Sequence, residues 1–364
     1  MKWANAADHG ARGIIELSPL DLPRGPATYR ADTLDDWFDP DSSLKRLEAC
    51  LVIGPTAAAP LFTGAPQTLE YLLKRATPEC KPCRPGSFPL CPKLTVDAAI
   101  SCTDFDSRNV VALLRGSHST LKNEYVVFTA HYDAIGPTGG GACDGAIDDG
   151  AGTAGILEIA RAFSLLETPP ARSILFVNTT GEETGLDGAS CFAKEPPVDI
   201  KQIVANVNLD ANVMLFETTD IVAIGAKHST LASAAEAAAR GVSRKLVELR
   251  CDLQGEGYFA RADNFSFVEQ GVPAVLVCSG QEAASSEIDN GPDRFIHWVR
   301  DVYHSAGDSL DQDLDWHAGA IYTQFAALLG AAAANGEKRP AWNPGNFFGD
   351  RWGNAARRGP SSAR

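Results

Sequence analysis

The sequence predicts an α/β fold, with a mixed, largely parallel central sheet flanked by helices and a small irregular N-terminal segment ahead of it. Three observations predict it. From about residue 106 onward, short Val- and Ile-rich runs alternate with longer stretches of helical apolar spacing, the pattern of strand–helix–strand units. The run EYVVFTA lacks clean polar alternation, so both of its faces are buried, as parallel strands require. Three such runs then end in ionisable side chains. In open α/β sheets the working groups lie beyond the carboxyl ends of the strands.

Taken in order, residues 1–16 read as a short helix and a short strand, and 17–45, rich in Pro, Asp and Arg, as loop. LKRLEACLVI and PQTLEYLLKRA carry some apolar periodicity, and 76–105 is an irregular connection with a Cys cluster and several prolines. NVVALLRG (109–116) and EYVVFTA (124–130) read as strands flanked by Gly, Ser and Asn. GAGTAGILEIARAFSLLE (150–167) is a helix, with Ile156, Ile159, Ala160 and Phe163 at helical spacing. SILFVNT (173–179), IVANVNL (203–209), DIVAIGA (220–226) and VPAVLVC (272–278) are further strands. An Ala-rich helix runs from about Ser229 to Arg240, stopped by Gly241. Residues 295–303 and 315–334 are helices, with His297 of FIHWVR read as a packing residue. The tail, 335–364, carries Trp342, Phe347, Phe348 and Trp352, which predict that part of it packs onto the body.

The chain has 364 residues, 45% hydrophobic and 21% charged, enough for one large domain and a smaller piece. A net charge of −14 argues against a nucleic-acid or anionic-membrane partner, which clustered Lys and Arg would serve. No run of 18 or more apolar residues exists, so no membrane span is expected. MKWANAADHG has no apolar core of a signal peptide. Four of the nine cysteines cluster at Cys80, Cys83, Cys91 and Cys102. Cys80-x-x-Cys83 has zinc-ligand spacing, but Cys91 and Cys102 lack it, which favours disulfides over a zinc knot. Cys278, ending an apolar run, reads as buried.

The strand ends carry the chemistry. EYVVFTA runs into His131-Tyr132-Asp133, SILFVNT toward Glu182-Glu183, and IVANVNL into Asp210. The Gly-rich loop GGGACDGAIDDGAGTAG adds Asp144, Asp148 and Asp149 just before a helix. Taken singly, Glu182-Glu183 suits a solvated turn, Asp149 a helix N-cap and His131 a satisfied strand-end histidine. Acids gathered this densely on one sheet edge need a cation, and His with carboxylates suits zinc. His131, Asp148, Glu183, Asp210 and a late His are enough for two metals sharing a carboxylate. Two dications, three carboxylates and one hydroxide come close to neutral, which makes burial tolerable. The loop lacks GK[ST] and a proper GxGxxG, so phosphate binding is a poor reading.

His131-x-Asp133, Gly145-Ala146-Ile147-Asp148-Asp149, Gly181-Glu182-Glu183-x-Gly185-Leu186, Asn208-Leu209-Asp210 and Tyr303-His304, in that order and spacing, resemble the M28 family of zinc aminopeptidases. The resemblance covers about residues 106–335. It implies that His131 and Asp210 bind one Zn2+, Glu183 and His304 a second, and that Asp148 bridges them. It makes Asp133 the orienter of His131, Glu182 the general base and Tyr303 a donor to the tetrahedral oxyanion. Without it, His304 could not be chosen over His297 or His317. The substrate implied is a peptide with a free N-terminus. The departures are Asp148-Asp149, where the family usually has Asp-Asn, and Ala262-Asp263-Asn264, where it has Ser-Asp-His.

KWANAADHGARGIIEL resembles the latter half of a protease-associated domain. The expected organisation is therefore a partial segment of that kind at 1–75, the Cys-rich connection at 76–105, a peptidase domain at 106–335 and a tail at 336–364. A truncated N-terminus is expected, and a secreted, periplasmic or cell-surface location is expected from the cysteines and the family. Two alternatives stand beside the di-zinc aminopeptidase. One is a single-zinc acyltransferase resembling glutaminyl cyclase, needing only Asp148, Glu183 and His304. The other is an inactive peptide-binding relative. Oligomeric state has no signal in the sequence.

Overall fold

Seven strands form the main sheet: β4 (Val110–Leu114), β5 (Tyr125–His131), β6 (Ser173–Thr179), β7 (Ile203–Leu209), β8 (Asp220–Ile224), β9 (Lys245–Val247) and β10 (Ala274–Ser279). Their order across the sheet is β9-β8-β10-β7-β5-β6-β4. In the computed structural model the described residues are 6–17, 27–29, 49–76, 87–95, 106–138, 141–210, 212–249 and 257–353. They fall into two compact units, one holding residues up to Asp106 together with Thr138, the other Ser107–Pro137 and the described chain from Gly141 onward.

The first unit contains a three-stranded sheet in the order β1-β3-β2, where β1 is Gly13–Leu17, β2 is Ala27–Tyr29 and β3 is Ala49–Ile53. It also holds a helix, α1 (Leu69–Ala76). This part is thus more ordered than the sequence suggests, since β2 lies in a stretch read as loop. Cys91 is an exposed free thiol, so no disulfide of the expected cluster includes it. Cys80, Cys83 and Cys102 lie outside the described residues.

The sheet of the second unit is mixed and largely parallel. The four strands β10-β7-β5-β6 run parallel to one another. β4 pairs antiparallel with β6, and β8 antiparallel with β10, while β9 follows β8 in parallel. β5 and β7 are buried at every position, which is why neither shows polar alternation. The outer strand β4 is the opposite case. Val110, Val111 and Leu113 stand exposed, so an apolar run there marks an edge strand and not a core one.

Period-two alternation sends the side chains of β5 to two cores. Val126, Phe128 and Ala130 enter one, with residues of α2 (Ala151–Ser164), α4 (Leu231–Gly241) and α7 (Trp316–Asn335). Tyr125 and Val127 enter the other, with Phe192 of α3 (Asp187–Lys194) and Phe267 of α5 (Asn264–Glu269). Trp342, together with Phe348 and Trp352 of α8 (Phe347–Trp352), packs against this second core, as the aromatic tail residues predict. The remaining helix, α6 (Gly291–Asp301), begins four residues earlier than its periodicity suggests, with Pro292 in its first turn. His297, expected to pack, is exposed and pairs with Asp301 at 2.5 Å.

At the centre of the first core Phe128 stacks on Phe176 at 5.7 Å and meets Phe163 edge-on at 6.1 Å. α7 passes close because it presents Gly330, where a Cβ would stand 2.1 Å from the Phe128 ring. Gly330→Ala is therefore expected to destabilise the protein by about 1–3 kcal/mol through overpacking. Urea unfolding would measure it, and an unchanged midpoint would contradict this packing.

Candidate metal centre

The parallel register places the tips of β5, β6 and β7 side by side. His131 pairs with Thr179 and Thr129 with Asn208, where the Thr129 hydroxyl donates to Asn208 Oδ1 at 2.6 Å. The residues that follow these tips, together with the loop ahead of α2 and the turn after α6, bring His131, Asp148, Glu183, Asp210 and His304 together.

Two groups of three ligand atoms result, His131–Asp148–Asp210 and Asp148–Glu183–His304, with the atoms of each group all within 4.8 Å of one another. Asp148 is common to both. His131 Nε2 lies 3.1 Å from Asp148 Oδ1 and 3.8 Å from Asp210 Oδ1. His304 Nε2 lies 3.1 Å from both Asp148 Oδ2 and Glu183 Oε2. Yet His304 Nε2, Asp148 Oδ2 and Glu183 Oε1 are buried without a hydrogen-bond partner. Buried polar atoms that close together and unbonded suit a shared cation, and imidazole with carboxylate is a donor set zinc takes.

The surroundings hold several of the candidate ligands in place. His131 Nδ1–H donates to the Asp133 carbonyl at 3.0 Å, which turns Nε2 toward the carboxylates. The Asp133 carboxylate also stands 3.6 Å from Nδ1. Its two oxygens accept the backbone N–H groups of Glu182 at 3.1 Å and Glu183 at 3.2 Å, fixing that turn. Asp210 N–H donates to the Tyr322 hydroxyl at 3.1 Å, and that hydroxyl donates to Val277 O.

Asp149 belongs to neither ligand group. Its carboxylate accepts His131 N–H at 3.1 Å and Gly152 N–H at 3.0 Å, so it starts α2 and anchors the end of β5 at once. A Cβ at residue 152 would fall 2.2 Å from that carboxylate, hence the glycine. Gly145, at φ 66°, has the left-handed conformation that opens the loop.

Electrostatics follow from burial and crowding. Burial pushes the Glu182 carboxyl well above the usual carboxylate range, and the neighbouring Asp210 adds to this. Burial likewise raises Asp210 and Glu183. Burial disfavours a charged His304, but Asp148 and Glu183 overcome it and hold that imidazole at about 9. Asp263, buried behind the turn and bonded to the Thr179 hydroxyl, is lifted by burial to about 7.

Beside the two ligand groups lies a small apolar pocket of about 60 Å³. Val213, Ile224, Leu276, Phe295 and Trp298 form its walls, Cys278 also lines it, and Glu182, Asp210 and Tyr303 border it. Tyr303 stacks on His304 with ring centres 3.7 Å apart. The sequence reading overlooks three supporting residues, Asp308, Gln312 and Tyr322. An Asp four residues after a candidate ligand His was an available signal for Asp308. Tyr322, on an apolar helix, gave none.

A model of peptidase family M28 matches residues 109–329, well over half of the chain. Among curated proteins, vacuolar membrane proteases are similar over shorter stretches. That of Ajellomyces capsulatus is 30% identical over 131 residues, 32% of this chain and 13% of the relative. That of Eremothecium gossypii is 33% identical over 122 residues, 32% of this chain and 11% of the relative. The chain thus matches only a small part of the length of these relatives. Among solved structures, an aminopeptidase from Aneurinibacillus sp. strain AM-1 aligns with a TM-score of 0.51 at 18% identity, covering 94% of this chain and 66% of that one. BSAP, a zinc aminopeptidase from Bacillus subtilis, aligns with a TM-score of 0.48 at 21% identity, covering 64% and 51%. The expected secreted, periplasmic or cell-surface location is corrected by these comparisons, because the curated relatives are named for the vacuolar membrane. Among the described residues no helix is long and apolar enough to cross a membrane.

Proposed function

Because this chain belongs to peptidase family M28, we propose that it is a metallo-aminopeptidase with a two-zinc centre. The observation that carries the reading is the pair of ligand groups meeting at Asp148, with Glu182 beside them at the mouth of the pocket. His131 and Asp210 would hold one ion, Glu183 and His304 the other, and Asp148 both. When bound, such ions polarise the scissile carbonyl and lower the pKa of the attacking water.

The chain's own residues do the rest. Glu182 accepts the proton of the attacking water and passes it to the leaving amine. Asp133 keeps Glu182 and Glu183 in fixed positions through their backbone N–H groups. Tyr303, raised by burial and therefore a phenol, offers its hydroxyl to the developing oxyanion. The apolar pocket takes the side chain of the N-terminal residue of a peptide.

Leucyl and phenylalanyl chromogenic amides are expected to exceed the alanyl amide in kcat/KM by at least about tenfold, since each buried methylene contributes on the order of 1 kcal/mol. N-acetyl-leucyl amide should not be cleaved. Cleavage of the acetylated substrate at a similar rate would remove the exopeptidase reading. Fewer than two zinc ions per chain would remove the two-metal centre.

A further inference from the structure

The loop carrying the shared ligand is fastened at one place. Three successive backbone N–H groups, those of Ala146, Ile147 and Asp148, all end on Asp308. Ile147 N–H reaches Oδ1 at 2.9 Å, Asp148 N–H reaches Oδ2 at 3.0 Å, and Ala146 N–H reaches the Asp308 carbonyl at 3.4 Å. Asp308 is completely buried. It stands four residues after His304 in the same turn, so one residue joins the element bearing His304 to the loop bearing Asp148.

The carboxylate is itself held. Gln312 Nε2 donates to Asp308 Oδ1 at 3.0 Å, while Gln312 Oε1 accepts the indole N–H of Trp298 at 2.9 Å. Trp298 is a wall of the apolar pocket. A chain of hydrogen bonds therefore runs from that wall, through Gln312 and Asp308, to the backbone of Asp148. Only a carboxylate satisfies it. Two backbone donors need two acceptor oxygens, and an amide would offer one oxygen and set its NH2 against the other donor.

We propose that Asp308 is a positioning residue for the metal centre: it sets Asp148 against His304, and Gln312 locks it there from the pocket wall. This rests on the metal-centre reading above. Groups that orient ligands in this way change metal affinity by about 10–100-fold when removed, whereas a merely structural contact changes melting alone.

The test is zinc titration of the metal-free full chain against a competing chelator, with a thermal melt of each variant. Asp308→Asn is expected to raise the zinc dissociation constant about 10–100-fold and to lower kcat at saturating zinc while KM for leucyl amide stays put. A cooperatively melting Asp308→Asn protein that binds zinc within about threefold of wild type overturns the proposal. If that variant does not melt cooperatively, Gln312→Leu decides, since it leaves the Asp308 carboxylate and its backbone bonds in place. It is expected to weaken zinc by about tenfold, at the lower end of the same range, and a wild-type constant overturns the proposal. Failure of the wild-type chain to take up zinc would instead strike the metal centre itself, and is seen before any variant is compared.

Discussion

Glu182→Gln is expected to lower kcat by about 10²–10⁴-fold, the usual contribution of a positioned general base, and to leave zinc content unchanged. The amide keeps the size and the backbone bond to Asp133 but cannot accept a proton. Glu182 belongs to neither ligand group, so metal should stay. Steady-state assay with leucyl amide and elemental analysis of the purified variant check both halves. Wild-type turnover would remove the base, and loss of zinc would make Glu182 a ligand.

Chelation is expected to abolish activity and to lower the melting temperature. Asp148, Glu183 and Asp210 are drawn together out of water, and burial, helped by the charge of Asp148, pushes the last two toward the neutral acid. An ion that binds only the folded chain stabilises it by about 2.7 kcal/mol at a hundred times its dissociation constant. For a domain of this size that corresponds to roughly 5–10 °C per ion. Added zinc should restore both activity and melting point. Asp148→Ala should mimic chelation irreversibly, because one residue serves both ligand groups. An identical melt with and without chelator would show that the acids are tolerated without a cation.

Much of this was legible in the sequence because the buried strands are unambiguous. SILFVNT and IVANVNL coincide with β6 and β7 residue for residue, since long β-branched runs between polar ends admit few alternatives. The elements that escaped are short or unpatterned. α3 reads DGASCFAK and β9 only KLV, too little for periodicity to speak. The candidate ligands His131, Asp148, Glu183 and Asp210 were visible as charges at strand ends and in the loop before α2. His304 needed the family resemblance, because it stands in an irregular turn with φ 59°. The support around them was harder to see. Asp133 reaches the Glu182–Glu183 turn through backbone N–H groups, and Asp308 reaches the Asp148 loop in the same way, and sequence pattern does not report main-chain partners.

The separation of the apolar walls from the strand tips has a practical corollary for anyone wishing to re-aim the enzyme. Val213, Ile224 and Leu276 line the apolar pocket without belonging to either ligand group, so libraries varied there should yield altered preferences with intact chemistry. Trp298 should be spared from such libraries. Its ring faces the same space, but its indole nitrogen is already committed to Gln312, and replacing it would trade selectivity against the integrity of the machinery behind it.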